Sequence, residues 1–166
     1  RAISHLDDRA SILAFVDSDA CPNREWLMRL VQGLNEPRTG AVTGYRWMIP
    51  QSNHPANLLL FSLNSALAGL MGPGGHYFVW GGSWAIRRST FDAIGLHQAW
   101  HGTLSDDLVA SRALHAAGFK VRYSPHCVSR SQIDGNWTTT LEFIRRQYLI
   151  TRRYAPRLWS LGVASH

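Results

Sequence analysis

Two pairs of carboxylates have types and spacing suited to chemistry: Asp17 and Asp19, one residue apart, and the adjacent Asp106 and Asp107. Asp17-Ser18-Asp19 follows directly on the apolar run Ile12-Leu13-Ala14-Phe15-Val16. Two carboxylates so placed on a turn can face one hard cation. Mg²⁺ or Mn²⁺ takes such oxygen ligands and fills the rest of its shell with waters and substrate phosphates. A cation held in this way neutralises a leaving diphosphate. The competing reading is a plain acidic turn ahead of a helix, and the place of the pair at the carboxyl end of a buried strand favours the functional one. Asp106 and Asp107 fall in the first turn of a helix that Ser105 should cap. A carboxylate there can take the proton of an attacking hydroxyl. Mutual repulsion raises one of the two pKa values, while the helix amino terminus favours the charged form. Acids in a first helical turn are also ordinary capping chemistry.

Gly81 and Gly82 form the next candidate, flanked by Trp80 and Trp84. Glycines let backbone approach a ligand or turn sharply, and tryptophan faces can pack on a sugar or a lipid. A tight turn with two core tryptophans fits the same residues. The last candidate is basic: Arg145, Arg146, Arg152 and Arg153 form two pairs seven residues apart, nearly two helical turns, so the pairs share a face. Gln147, Thr151 and Tyr154 line a polar stripe beside them. Guanidinium forks and an amide can grip a diphosphate. The same helix could rest on anionic headgroups or on a nucleic-acid backbone.

The elements that must position these residues alternate between strand and helix. Ile12–Val16 reads as a buried parallel strand, and a helix capped by Asn23 carries Trp26, Leu27, Leu30, Val31 and Leu34. Residues 41–49 read as a second strand, and residues 55–71 as an apolar helix, placed in the core ahead of a membrane interface. A loop at 72–75 follows, then short strands at 77–80 and 84–86, a short helix at 89–94 and a loop at 97–103. A helix at 106–117, a strand at 119–123 and a basic helix at 138–154 complete the chain. This order predicts an α/β layer fold.

Bulk properties agree with one domain or a large piece of one. The chain has 166 residues, 45% of them hydrophobic, and seven tryptophans. Its net charge is +6, and Lys120 is the only lysine among 17 basic residues. Arginine is the better fork for phosphate, so a diphosphate, an anionic membrane and a nucleic acid are the partners this charge allows. Cys21 and Cys127 lie too far apart in sequence for a zinc motif or a disulfide framework, which fits a reducing, cytosol-facing setting. The longest apolar stretch is too short to span a bilayer, which takes ~20 apolar residues. Both ends read as cut from a longer protein.

Four segments in order resemble the motifs of family 2-type glycosyltransferases. Phe15-Val16-Asp17-Ser18-Asp19-Ala20, followed by Trp26-Leu27, resembles the Asp-x-Asp segment. Gly81-Gly82-Ser83-Trp84-Ala85-Ile86-Arg87-Arg88 resembles the Gly-Gly-Ser stretch, and Leu104-Ser105-Asp106-Asp107-Leu108 the Glu-Asp motif, with Asp106 in place of Glu. Arg146-Gln147 with Arg152-Arg153-Tyr154 resembles Gln-x-x-Arg-Trp, although four residues separate Gln147 from Arg152 and Tyr154 replaces the Trp. The ceramide glucosyltransferase-like branch is the nearest in pattern.

The resemblance implies a partial glycosyltransferase A-type fold, a mixed sheet flanked by helices. Residues 1–155 would be the C-terminal portion of the catalytic domain, and 156–166 a tail leading toward a membrane segment. The uridine-binding part and the membrane helices would lie outside this sequence, so this piece alone should not turn over substrate. It also implies metal-dependent, inverting transfer of a hexose from a nucleotide-diphosphate sugar, UDP-hexose by expectation, to a ceramide- or diacylglycerol-like lipid. Asp107 would be the base, with Asp106 beside it. Asp17 and Asp19 would hold Mg²⁺ or Mn²⁺, and Arg146, Gln147 and Arg152 would contact the donor. Gly81, Gly82, Trp80 and Trp84 would line the acceptor side. The expected setting is a membrane surface with the catalytic domain facing the cytoplasm and no nucleic-acid partner. The alternatives are a processive polysaccharide synthase, and a basic module that binds anionic membrane or nucleic acid without catalysis. The last makes the arginines essential and leaves two acidic pairs at element ends unexplained.

Overall fold

The computed structural model describes residues 9–69, 78–156 and 159–160. Four strands form one mixed sheet: β1 (Ile12–Val16), β2 (Thr39–Pro50), β3 (Ser83–Arg87) and β4 (Lys120–Ile133), in the order β1-β3-β2-β4. β3 runs antiparallel to both neighbours, whereas β2 and β4 are parallel. Helices cover both faces. On one side α1 (Trp26–Gly33) presents Trp26 and Leu30, and Leu34 just beyond it, to Val42, Ala85 and Cys127. The four-residue spacing of these three side chains makes one continuous stripe. On the other side lie α3 (Arg88–Ala93), α4 (Leu96–Ala99) and α5 (Asp106–Ala116). Phe91, Leu96, Ala110 and Leu114 there meet Leu13, Ala41, Trp84, Ile86 and Val121 of the strands. Full burial of a Leu or Phe side chain stabilises by roughly 1.5–3 kcal/mol, so these two layers hold the sheet.

Several sequence expectations change. β1 is a strand, but it pairs antiparallel with β3 and is an edge strand among the described residues. Only Leu13 of it is buried, and Val16 is 45% exposed. Asn23 does not cap α1. Glu25 holds the cap position without a side-chain bond, while Asn23 closes the turn before it by accepting from Glu25 N at 3.0 Å. Residues 78–80 form no strand, and Tyr77 and the 72–75 loop lie outside the described residues. The 97–103 segment begins inside the helical turn of α4. The last strand is far longer than 119–123. It bulges after Tyr123, because Thr43 pairs with Tyr123 but Tyr45 pairs with Val128, and the ladder then runs on to Ile133. The Ser-Pro-His break at 124–126 marks that bulge rather than the strand's end. Gly44 faces the bulge, where a Cβ would collide with the Cys127 carbonyl oxygen, so the close approach of β2 and β4 requires glycine.

Two helices stand apart from these layers. α2 (Pro55–Gly69) was expected to be a core helix, yet its buried residues are Ala56, Asn57 and Asn64, while Leu58, Leu59, Leu63 and Leu67 are substantially exposed. Polar groups fix its inner face. Asn64 Oδ1 accepts from Met48 N, and its amide donates to Arg46 O and to Tyr45 Oη. Asn57 Oδ1 accepts from Gly135 N at 2.8 Å. α6 (Trp137–Tyr154) starts at Asn136 with a reciprocal cap to Thr139 and stops at Ala155, before Pro156. No helix among the described residues is long and apolar enough to cross a membrane.

Candidate active site

The sheet's antiparallel half brings the two acidic pairs toward each other. β1 ends at Val16, and Asp17 N donates to Gly82 O at 3.3 Å. Ala20 N donates to Asp17 O at 3.1 Å and closes the acidic turn. Opposite, the 79–82 segment is pinned at two points. Val79 N donates to Ser111 Oγ of α5 at 2.8 Å, and Trp80 N donates to Thr43 Oγ1 of β2 at 2.8 Å. Ser111 Oγ in turn donates to Asp107 O at 2.7 Å. The glycine pair is therefore held between β1, β2 and α5, with an acid on each side. A Cβ on Gly82 would strike the Asp17 carboxylate, and one on Gly81 would lie 3.3 Å from Asp107 Oδ2. Each glycine thus leaves room for a carboxylate, Gly82 for Asp17 and Gly81 for Asp107.

The two acids of α5 differ. Asp107 Oδ1 accepts from Ser105 Oγ at 2.5 Å and from Leu108 N at 2.7 Å, which leaves Oδ2 toward Gly81. Ser105 holds the cap position of α5, but its side chain does not cap: the hydroxyl donates to Asp107 instead of accepting from a helix N–H, and Asp107 Oδ1 takes the Leu108 amide. Asp106 Oδ1 accepts from Asp107 N at 2.9 Å. Partial burial, then the neighbouring Asp107 carboxylate and more weakly that of Asp17, push the Asp106 carboxyl above its ordinary pKa, against the pull of backbone N–H groups.

Asp19 enters through a residue that sequence reasoning missed. Arg46, on β2, donates from Nη2 to Asp19 Oδ2 at 2.7 Å and from Nη1 to Asp17 Oδ2 at 3.5 Å. Its Nε donates to Ser131 Oγ of β4 at 2.9 Å. A single charged residue, an arginine, in an otherwise uncharged strand was the available signal. Among the described residues, no three acidic, histidine or cysteine side chains gather closely enough to hold a metal alone. The Asp17 and Asp19 carboxylates nonetheless fit Mg²⁺ or Mn²⁺, since such ions take one or two carboxylates and complete the shell with water and phosphate.

The remaining predicted residues divide. Trp80 is half-buried beside the glycines, with its ring 4.5 Å from that of Tyr45. Trp84 does not line a cleft: it is 2% exposed and stacks on Phe15 at 4.4 Å, because β3 is covered on both faces. Arg146, Gln147 and Arg152 are exposed on α6 and are not brought onto the carboxylates. Arg146 lies over the Phe143 ring and Arg152 over the Trp159 ring. What joins α6 to the acidic end is Tyr154, whose hydroxyl accepts from Leu104 N at 2.9 Å, just before Ser105. An open groove of about 500 Å³ beside the acidic turn is lined by Cys21, Asn23, Pro125, His126, Val128 and Arg130. Both cysteines are free thiols.

A mixed sheet clad by helices is the architecture of part of a glycosyltransferase A-type fold. Among solved structures, the mannosyltransferase PcManGT from Pyrobaculum calidifontis, in complex with GDP-Man and Mn²⁺, matches with a TM-score of 0.65 at 18% identity. The match covers 95% of this chain and 41% of that protein, so this chain spans well under half of the neighbour's length. A search of curated proteins gives no significant match. The sequence profile of glycosyl transferase family 21 matches residues 7–160, and the chain belongs to that family. The glycosyltransferase class suggested by the motifs therefore holds, and the matching profile is that of family 21.

Proposed function

We propose that this chain is the C-terminal part, residues 1–155, of the catalytic domain of an inverting, metal-dependent hexosyltransferase. In this reading a nucleotide-diphosphate sugar is the donor and a ceramide- or diacylglycerol-like lipid the acceptor. The single observation that carries it is that Asp17 lies against Gly82 and Asp107 against Gly81, so both acids border one glycine turn. The family and the nucleotide-sugar-binding neighbour support the donor class, and the neighbour's Mn²⁺ supports a divalent cation.

Asp17 and Asp19 would hold the cation, which when bound neutralises charge on a leaving diphosphate. Asp107 Oδ2 takes the proton of the acceptor hydroxyl, while Ser105 and the Leu108 amide fix the other oxygen. The acceptor oxygen then bonds to the anomeric carbon from the face opposite the departing group. The bond from that carbon to the diphosphate breaks, and the diphosphate leaves with the electron pair. Trp80 beside the glycines offers an apolar face on the acceptor side.

The outward leucines of α2 and the arginines of α6 support a membrane surface as partner, and a cytoplasmic face for the domain is part of the same proposal. The test is donor binding by the full-length protein, across UDP- and GDP-hexoses, with and without Mg²⁺ or Mn²⁺. Cation-dependent binding that Asp17→Asn and Asp19→Asn weaken is expected. Equal binding without cation would overturn the assignment of those two residues.

A further inference from the structure

We infer that Arg46 is a built-in counter-ion of the acidic turn that makes the site take a divalent cation and a diphosphate together rather than the cation alone. The inference rests on the Asp17/Asp19 part of the proposed function and extends it to a residue outside the motifs. Arg46 sits at 24% side-chain exposure, with its guanidinium between the two carboxylates. A cation entering there must compete with a positive group already hydrogen-bonded to both acids. That group cannot swing far, because its Nε is tied to Ser131 Oγ. It can give up the carboxylates and keep that anchor. The N–H groups so released are a planar fork beside the cation position, the geometry that suits two phosphate oxygens. A diphosphate thus gives the guanidinium a new partner at the moment the carboxylates turn to the cation. Each ligand lowers the cost of the other's binding, and this linkage is reciprocal.

The acceptors themselves argue for exchange rather than a permanent bridge. Asp17 and Asp19 are 40% and 62% exposed, so their pairing with Arg46 is of the weak, solvent-screened kind. At 3.5 Å, the bond to Asp17 is at the limit of hydrogen bonding. A buried ion pair would resist displacement far more strongly.

The experiment measures Mn²⁺ binding by the full-length protein, with and without UDP or GDP, corrected for Mn²⁺ held by free nucleotide. In the parent, nucleoside diphosphate should tighten Mn²⁺ binding. Arg46→Met should bind Mn²⁺ alone about three- to fivefold more tightly, the range an exposed ion pair allows. The same variant should bind nucleoside diphosphate at saturating Mn²⁺ about tenfold more weakly, for lack of a charge-assisted fork. Arg46→Lys keeps the competing charge but not the fork. It should leave Mn²⁺ binding alone near the parent value and still weaken the diphosphate, and it serves if the methionine variant does not fold. If Arg46→Met leaves both affinities unchanged while Asp17→Asn abolishes Mn²⁺ binding, the role of Arg46 is refuted and the metal site stands. If Asp17→Asn leaves Mn²⁺ binding intact, the metal assignment itself falls.

Discussion

The acidic end of the sheet and the basic helix α6 are built on opposite principles. At the acidic end, β1, β2, the 79–82 segment and α5 each place a named side chain or amide, and most polar groups have a protein partner. On α6, only Thr140 is buried, and Leu141, Tyr148 and Leu149 face outward among the arginines. It is anchored by its cap at Asn136 and by the Tyr154 hydroxyl at the other end. Geometry fixed by several elements suits chemistry on a small reacting centre. A helix held at its ends and open along its length suits a broad surface whose exact contacts need not be set in advance.

The sharpest way to break this comparison is Asp107→Asn. Turnover by the full-length enzyme should fall roughly 10²–10⁴-fold, the usual contribution of a positioned base, with donor binding intact. Near-parent turnover would remove Asp107 from that role. Gly44→Ala comes next. Its new methyl meets the Cys127 carbonyl, which is backbone and cannot swing away, so denaturant unfolding should show a loss of about 3 kcal/mol. The paired change Arg152→Gln and Arg153→Gln tests the other region. It should leave unfolding within about 0.5 kcal/mol of the parent. In flotation with anionic vesicles, it should weaken binding by about 1 kcal/mol per arginine. Weakened binding of soluble nucleotide diphosphate without lipid would instead turn these arginines toward the donor.

Gly82→Ala sharpens the contrast with Gly44. Its methyl meets a carboxylate at the end of a side chain, which can move. Thermal stability should change little, while cation-dependent donor binding falls about tenfold because Asp17 is displaced, a loss comparable with that of one charge-assisted hydrogen bond. The smallest effect is a pH dependence. The folded state keeps the Asp106 proton to higher pH than the unfolded chain does. Stability therefore falls as pH rises from the unfolded toward the folded pKa, and it stays lower above that interval. Asp106→Asn should raise the melting temperature above the interval and not below it. An unchanged difference across pH would show that Asp106 feels neither burial nor its neighbours.

Local chemistry made much of this legible in the chain itself. Apolar runs and Gly/Pro stops located most strands and helices, although neither Asn23 nor Ser105 caps as expected, and the motif order pointed to the class of enzyme. The two acidic pairs and the glycines were also visible, because each is a short-range pattern. Other features depended on partners far away in sequence. Trp84 is a core residue only because Phe15 stacks on it from another strand. α2 turns its asparagines inward only because Met48, Arg46 and Gly135 present backbone groups that need them. Arg46 belongs to the site only because β2 and β4 carry it to Asp17 and Asp19, some 27 residues or more away in sequence. Sequence patterns encode periodicity and local hydrogen bonding, whereas the convergence of these groups is set by strand order and register, which no single segment contains.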